Sequence, residues 1–224
     1  MFRRTILLSL ATLLCATTAS RAEDTMGAAP PKGAVVLLGK DKSSTEQWIK
    51  KNGQPVGWVF EDGILTCKGG TGDIKTRQEF SNYKLHVEFR TPYMPDAKGQ
   101  ARGNSGVYQV GRYELQVLDS YGLKSQDNDC GGIYKQFAPL VNACRKPMEW
   151  QTYDITFQSA KVVDGKEVQK ARITVHQNGQ LIHENREISV TPGGIDMKPG
   201  LPGPILLQDH GNTVSYRNIW IQPL

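Results

Sequence analysis

The chain has 224 residues and a formal net charge of +5, a length that suits one domain with a well-buried core. Arg3, Arg4 and Arg21 fall in the N-terminal leader, which carries no acid, so the charge of the remainder is near +2. No long Lys/Arg run is left to indicate a nucleic-acid footprint, and no segment carries the roughly 20 apolar residues that span a bilayer.

Residues 1–22 have the layout of a secretory signal peptide. Arg3 and Arg4 precede an apolar run from Ile6 to Leu14, and Ser20-Arg21-Ala22 forms a small-x-small cleavage site. Cleavage after Ala22 implies a secreted or periplasmic protein. Residues 23–33, rich in Ala, Pro and Gly, read as a flexible leader, and residues 34–224 as a single domain.

From there the chain reads as short strands separated by turns. Ser44 to Lys51 has room for a helical turn or two. Trp58-Val59-Phe60 and Ile64 to Cys67 flank Asp62-Gly63 as a hairpin. Tyr83 to Arg90 alternates strictly: Tyr83, Leu85, Val87 and Phe89 face one way, and Lys84, His86, Glu88 and Arg90 the other. Tyr113 to Val117 repeats this, with Glu114 and Gln116 on the polar face. Trp150 to Gln158 is another strand. Ile173 to Gln177 and Gln180 to Glu184 form a hairpin whose Asn178-Gly179 suits a type I′ turn. Ile205 to Gln208 and Tyr216 to Ile221 close the chain. This pattern, without amphipathic helices, predicts an all-β fold: an antiparallel β-sandwich of the concanavalin-like jelly-roll type. The Gly/Pro/Asp-rich loops at 92–104, 119–130 and 192–203 are the expected home of function.

Several chemistries lack their motif: there is no P-loop, dinucleotide glycine fingerprint, Gly-x-Ser-x-Gly elbow or His-Glu-x-x-His. Two stretches carry reactive groups instead. One runs from Gly103-Asn104-Ser105-Gly106 through Tyr108 to Glu114, Gln116 and Asp119. The other is Gln208-Asp209-His210-Gly211-Asn212, where a histidine able to trade protons near neutrality sits beside a carboxylate. His86, His176 and His183 read as ordinary surface residues. Glu114 and Asp119 make a poor retaining-glycosidase pair. Five residues apart they face opposite ways unless a bulge intervenes, and their backbones then stand about 13 Å apart at ~3.3 Å per residue. Retention needs carboxyl groups about 5–5.5 Å apart. Cys67 reads as a small buried apolar residue, and Cys130 and Cys144 as a disulfide closing a short loop.

A set of segments taken together resembles a known family. These are Trp58-Val59-Phe60-Glu61-Asp62-Gly63, Glu88-Phe89-Arg90, Gly103-Asn104-Ser105-Gly106, residues 111–120, Glu149-Trp150-Gln151-Thr152-Tyr153-Asp154, and residues 203–211. The chain resembles the 3-keto-disaccharide hydrolase domain family over nearly its whole length; Met148 stands where that family often has glycine. The resemblance implies a concanavalin-like or laminin-G-like sandwich, export, and cleavage of glycosides already oxidised at C3. Such cleavage needs a base for the acidified C2 hydrogen, a stabiliser for the enolate oxygen and an acid for the leaving group. Glu114 and His210 are the candidate base and acid, with their assignment between the two roles open. Glu88, Arg90, Asn104, Tyr108, Gln116, Asp119, Gln208 and Asp209 are the candidate substrate contacts. A divalent metal ion is an alternative stabiliser, with Glu114 and His210 as its candidate ligands. Two rival readings remain open here: a carbohydrate-binding module of the same fold and a surface interaction domain.

Overall fold

The computed structural model describes residues 23–224, so the expected signal peptide lies outside the described residues. In chain order the strands are β1 (Val35–Leu38), β2 (Trp48–Lys50), β3 (Val59–Glu61), β4 (Ile64–Thr66), β5 (Ile74–Thr76), β6 (Tyr83–Arg90), β7 (Ser105–Gln109) and β8 (Tyr113–Val117). There follow β9 (Gln151–Gln158), β10 (Lys161–Val163), β11 (Lys166–Gln169), β12 (Ala171–Gln177), β13 (Gln180–Ile188), β14 (Leu206–Leu207) and β15 (Ser215–Pro223). Two short 3₁₀ turns, Lys42–Gln47 and Gly99–Ala101, are the helical pieces among the described residues, and none is long enough to cross a membrane.

Two antiparallel sheets pack face to face. The larger has the order β13-β12-β9-β6-β15-β4-β3, with β1 also paired to β15; the smaller is β2-β5-β14-β7-β8. The period-two pattern does what it predicts. Tyr83, Leu85, Val87 and Phe89 of the larger sheet are buried inward, as are Tyr113, Leu115 and Val117 of the smaller. Between the sheets the Tyr113 and Phe157 rings meet at 5.4 Å, and the Tyr216 hydroxyl donates to Ser105 Oγ at 2.7 Å. Tyr216 thus brings both ring area and a satisfied hydroxyl to the core. Asn178 and Gly179 both have positive φ, 51° and 72°, as a type I′ turn between β12 and β13 requires. Cys67 is buried, as its strand context suggested.

Three expectations need correction. His86 and His183 are fully buried, not surface residues. His183 donates to the Gly131 carbonyl at 2.6 Å, and burial depresses its pKa to about 4. Cys130 and Cys144 are free thiols, not a disulfide. They are buried next to one another, and each has its own partners: Cys130 Sγ accepts from Gln177 Nε2 at 3.3 Å, and the Cys144 thiol reaches the Leu118 carbonyl at 3.7 Å. Third, residues 24–28 are strapped across the outer face of the larger sheet. Thr25 bonds to Asp154, Gly27 N–H donates to Glu88 Oε1 at 2.7 Å, and Asn218 and Trp220 donate to the Ala28 carbonyl at 3.0 and 3.2 Å.

Candidate active site

The outer face of the smaller sheet carries the site. Inward-facing Tyr113, Leu115 and Val117 turn Glu114 and Gln116 outward, and register places Tyr108 of β7 opposite Glu114 and Gly106 opposite Gln116. On the other side of β7, the β14 strand pairs Leu206 with Tyr108 and delivers Gln208 and His210 from its end. Asn104, just before β7, and Gln100, from the Gly99–Ala101 turn, close one wall. Together these residues line a cavity of about 380 Å³, which brings Asn104, Tyr108, Glu114, Gln116, Gln208 and His210 together.

Pattern reading missed the remaining wall. Residues 131–134 add a short irregular strand to the free edge of β8: Gly131 N–H donates to Gln116 O, Gln116 N–H to Gly132 O and Tyr134 N–H to Glu114 O, at 3.0, 2.9 and 3.2 Å. That segment carries Tyr134 and Lys135 into the cavity, and the loop after β13 adds Pro192 and Gly193. Lys135 has φ 57°, a left-handed residue at the turn that ends the added strand. The segment has no alternation to announce it. A run of two glycines before Ile133 is the one signal it offers.

Glu114 is 3% exposed. Burial raises its pKa from 4.5 to about 7; the Tyr108 hydroxyl works against this, and the charge of Asp73 adds to it. Gly106 makes the space: a Cβ there would stand 2.6 Å from Glu114 Oε1. Around the carboxylate, Gln208 Nε2 donates to Tyr108 Oη at 3.3 Å, and Gln116 Nε2 donates to Gln100 Oε1 at 3.0 Å. Two buried acceptors, Asn104 Oδ1 and Gln208 Oε1, have no partner within the protein. Buried acceptors are normally satisfied, so a pair of orphans in one cavity wall is a place for ligand hydroxyls. His210 is exposed at the tip of the turn after β14. That turn is fixed by Asp209, which accepts from Gly72 N–H at 2.8 Å and Gly211 N–H at 2.9 Å.

Four candidate contacts lie elsewhere. Glu88 and Arg90 extend from the larger sheet, and because both sheets bury their apolar faces against each other, their polar faces point to opposite sides of the sandwich. Glu88 lies under the N-terminal strap with His86, Arg217 and Asn218; Arg90 stacks 4.9 Å from the Trp150 ring. Asp209 caps its turn and does not line the cavity. Asp119, beyond the end of β8, is buried against Arg102 at 2.7 Å and faces a neighbouring hollow. No three His, Cys, Asp or Glu side chains among the described residues are grouped to hold a metal ion. The donor set therefore does not match a protein-built metal centre, and no step below runs through one.

The model of the 3-keto-alpha-glucoside-1,2-lyase-like domain matches residues 33–222. Among solved structures, a protein of Parabacteroides distasonis ATCC 8503, provisionally described as a glycosyl hydrolase, is 38% identical, with 87% of this chain and 85% of that one aligned at a TM-score of 0.79. A second protein of that organism, described in the same way, shares 22% identity over 86% of this chain and 94% of its own, with a TM-score of 0.62, and shows the same fold. No curated protein matches the chain. With its strand order, its cavity on the smaller sheet and a family match across the whole folded region, the chain belongs to the 3-keto-alpha-glucoside-1,2-lyase-like domain family.

Proposed function

We propose that the protein cleaves the glycosidic bond of 3-keto-glycosides by elimination across C1 and C2, after export from the cytoplasm. The observation that carries this reading is Glu114: a buried carboxylate whose pKa is raised to about 7, mid-strand on a rigid sheet, in a cavity whose other polar side chains are amides, tyrosines, one ammonium group and one imidazole. A base of that strength is half ionised near neutrality, where proton abstraction is most effective. A ketone at C3 acidifies the hydrogen on C2. Glu114 takes that proton, and the C–H electrons delocalise into an enolate on the C3 oxygen. As the carbonyl reforms, a C1–C2 double bond develops and the C1–O bond breaks, its electrons leaving with the aglycone oxygen. His210, at the cavity mouth, protonates that oxygen. Water adding across the new double bond would make the net change a hydrolysis.

The ammonium of Lys135, on the segment that extends the edge of β8, supplies positive charge for the enolate oxygen. Asn104 Oδ1 and Gln208 Oε1, lacking internal partners, accept from sugar hydroxyls. The test is direct. Purified protein is incubated with methyl 3-keto-α-glucoside in D₂O, and C2 exchange, enone absorbance and methanol release are followed. Turnover with exchange at C2, lost by about a hundredfold or more in Glu114→Gln and His210→Ala, is expected, the usual scale for losing a general base or acid. Saturable sugar binding without release of methanol would show a carbohydrate-binding module and refute the reading.

A further inference from the structure

A second hollow lies beside the candidate active site and shares a wall with it. It has a volume of about 350 Å³, within the roughly 300–1,000 Å³ of small-molecule pockets. Its rim is formed by Tyr93 and Tyr121, 67% and 46% exposed, from two of the three loops that the sequence marks as Gly/Pro/Asp-rich. Isolated exposed aromatics are unremarkable on a surface, but two around one hollow are a concentration of apolar ring. Its polar component is an ion pair held firmly in place. Asp119 is 2% exposed; its Oδ2 accepts from Arg102 Nη2 at 2.7 Å and its Oδ1 from the Tyr121 N–H at 3.3 Å. The Arg102 guanidinium has five N–H donors, and this pairing uses one, so others remain for a ligand. Lys146 brings another donor, its Nζ 5.8 Å from the centre of the Tyr121 ring.

The shared wall is short and rigid. Gln100 and Asn104 line the Glu114 cavity, while Arg102, between them in sequence, lines the second hollow. In the same way Gln116 belongs to one and Asp119, three residues on, to the other, and the Asp119 N–H donates to the Arg102 carbonyl at 2.9 Å. A molecule long enough to cross that junction touches both.

We propose that this second hollow is a sugar subsite, taking a neutral glycosyl unit of an oligosaccharide whose oxidised unit occupies the Glu114 cavity. The chemistry matches a pyranose: an apolar C–H face that packs on a tyrosine ring, and a rim of hydroxyls that accepts from Arg102 and Lys146. The assignment of the reacting unit to the first cavity rests on the function proposed above; the sugar preference of the second hollow does not.

The experiment has a kinetic and a binding arm. For turnover, methyl 3-keto-α-glucoside is compared with maltotriose and cellotriose oxidised at C3 of the non-reducing terminal unit, using the wild type and a Tyr93→Ala/Tyr121→Ala variant. The variant is expected to raise KM for at least one trisaccharide about tenfold, with kcat and the kinetics on the methyl glycoside unchanged. Equal effects on the short and long substrates, or none on either, overturn the proposal. For binding, unoxidised maltotriose and cellotriose are titrated by calorimetry and by NMR of the tyrosine ring signals. Saturable shifts at Tyr93 and Tyr121, lost in the double variant, support the subsite; no binding of either trisaccharide at millimolar concentration overturns it. If no oxidised substrate is turned over, the catalytic reading of Glu114 fails alone, and the binding arm still decides the subsite.

Discussion

Replacing Glu114 by Gln should stabilise the protein while silencing it, and the stabilisation should depend on pH in a way that no general packing change reproduces. The carboxyl titrates near 4.5 when unfolded and at about 7 when folded, because burial penalises the charged form. The folded state therefore holds its proton more tightly, and stability falls as pH rises between these two values. The gap between 4.5 and about 7, at 1.36 kcal/mol per pH unit, puts the full cost at about 3 kcal/mol above pH 7 and at nothing below pH 4. Gln keeps the shape, can donate to the Tyr108 oxygen, and never ionises. For a domain of this size, Glu114→Gln should raise Tm by about 6–12 °C at pH 8 and leave it nearly unchanged at pH 4. Thermal melts by circular dichroism at both pH values, in one ionic strength, measure this. The same Tm change at pH 4 and pH 8, or a destabilisation at pH 8, would refute the claim that Glu114 is a strained buried acid, and the base assignment with it.

Glu88 should behave in the opposite sense. Burial works against its charge, but bonds from His86, Asn218, Arg217 and Gly27 outweigh it and lower the carboxyl from 4.5 to about 2. Its contribution, about 3 kcal/mol, should be complete above pH 4.5 and vanish as pH falls to about 2. Urea titrations of Glu88→Gln and wild type should differ at pH 7 and converge near pH 2. Gly106→Ala places a Cβ 2.6 Å from Glu114 Oε1, so it should cut turnover by about a hundredfold through misplacement of the carboxylate while the circular dichroism spectrum is retained. Cys67, Cys130 and Cys144 are buried thiols, so a thiol reagent should label none of them in the native protein and all three in denaturant. A Cys130–Cys144 bond in the purified protein, detected by mass spectrometry, would count against the packing described.

Strands were legible wherever one side faces the core and the other does not. Tyr83–Arg90 and Tyr113–Val117 alternate because one face meets the opposite sheet and the other meets water or a polar neighbour, so their bounds match the structure residue for residue. Ile74–Thr76, Lys161–Val163 and Lys166–Gln169 are too short for a period to register, and Val35–Leu38 is a continuous apolar run. Parity also told which residues leave the core: it turned Glu114 and Gln116 away from Tyr113, Leu115 and Val117. It could not tell on which sheet a strand lies. Glu88 and Glu114 have the same signature, a carboxylate alternating with apolar residues, and end on opposite sides of the molecule. Nor does alternation reveal contacts made by irregular chain: Lys135 reaches the site through an edge segment of β8, and Asp119 leaves it because the chain turns away after Val117.

Those two glutamates differ in how their burial is compensated. Both are almost completely buried, and burial pushes both carboxyl groups toward the neutral form. At Glu88 a guanidinium, an amide, an imidazole and a backbone N–H compensate the charge, and the result is an acid too weakly basic to take a proton from carbon. At Glu114 one phenol opposes the effect of burial and a second carboxylate, Asp73, reinforces it. Evenly compensated charge anchors a strap; uncompensated charge is costly to keep and is retained where ionisation near neutral pH does chemical work. The same logic assigns Asp73 a function that the sequence does not mark. It accepts from Asp209 N–H at 2.9 Å, stands 3.9 Å from Lys51, and its charge adds to the upward push on Glu114. Asp73→Asn should therefore move the rising limb of the kcat/KM profile to lower pH and, because Glu114 becomes a weaker base, should not raise the limiting rate at high pH. A rising limb that stays near pH 7 in that variant would show that burial alone sets the strength of the base.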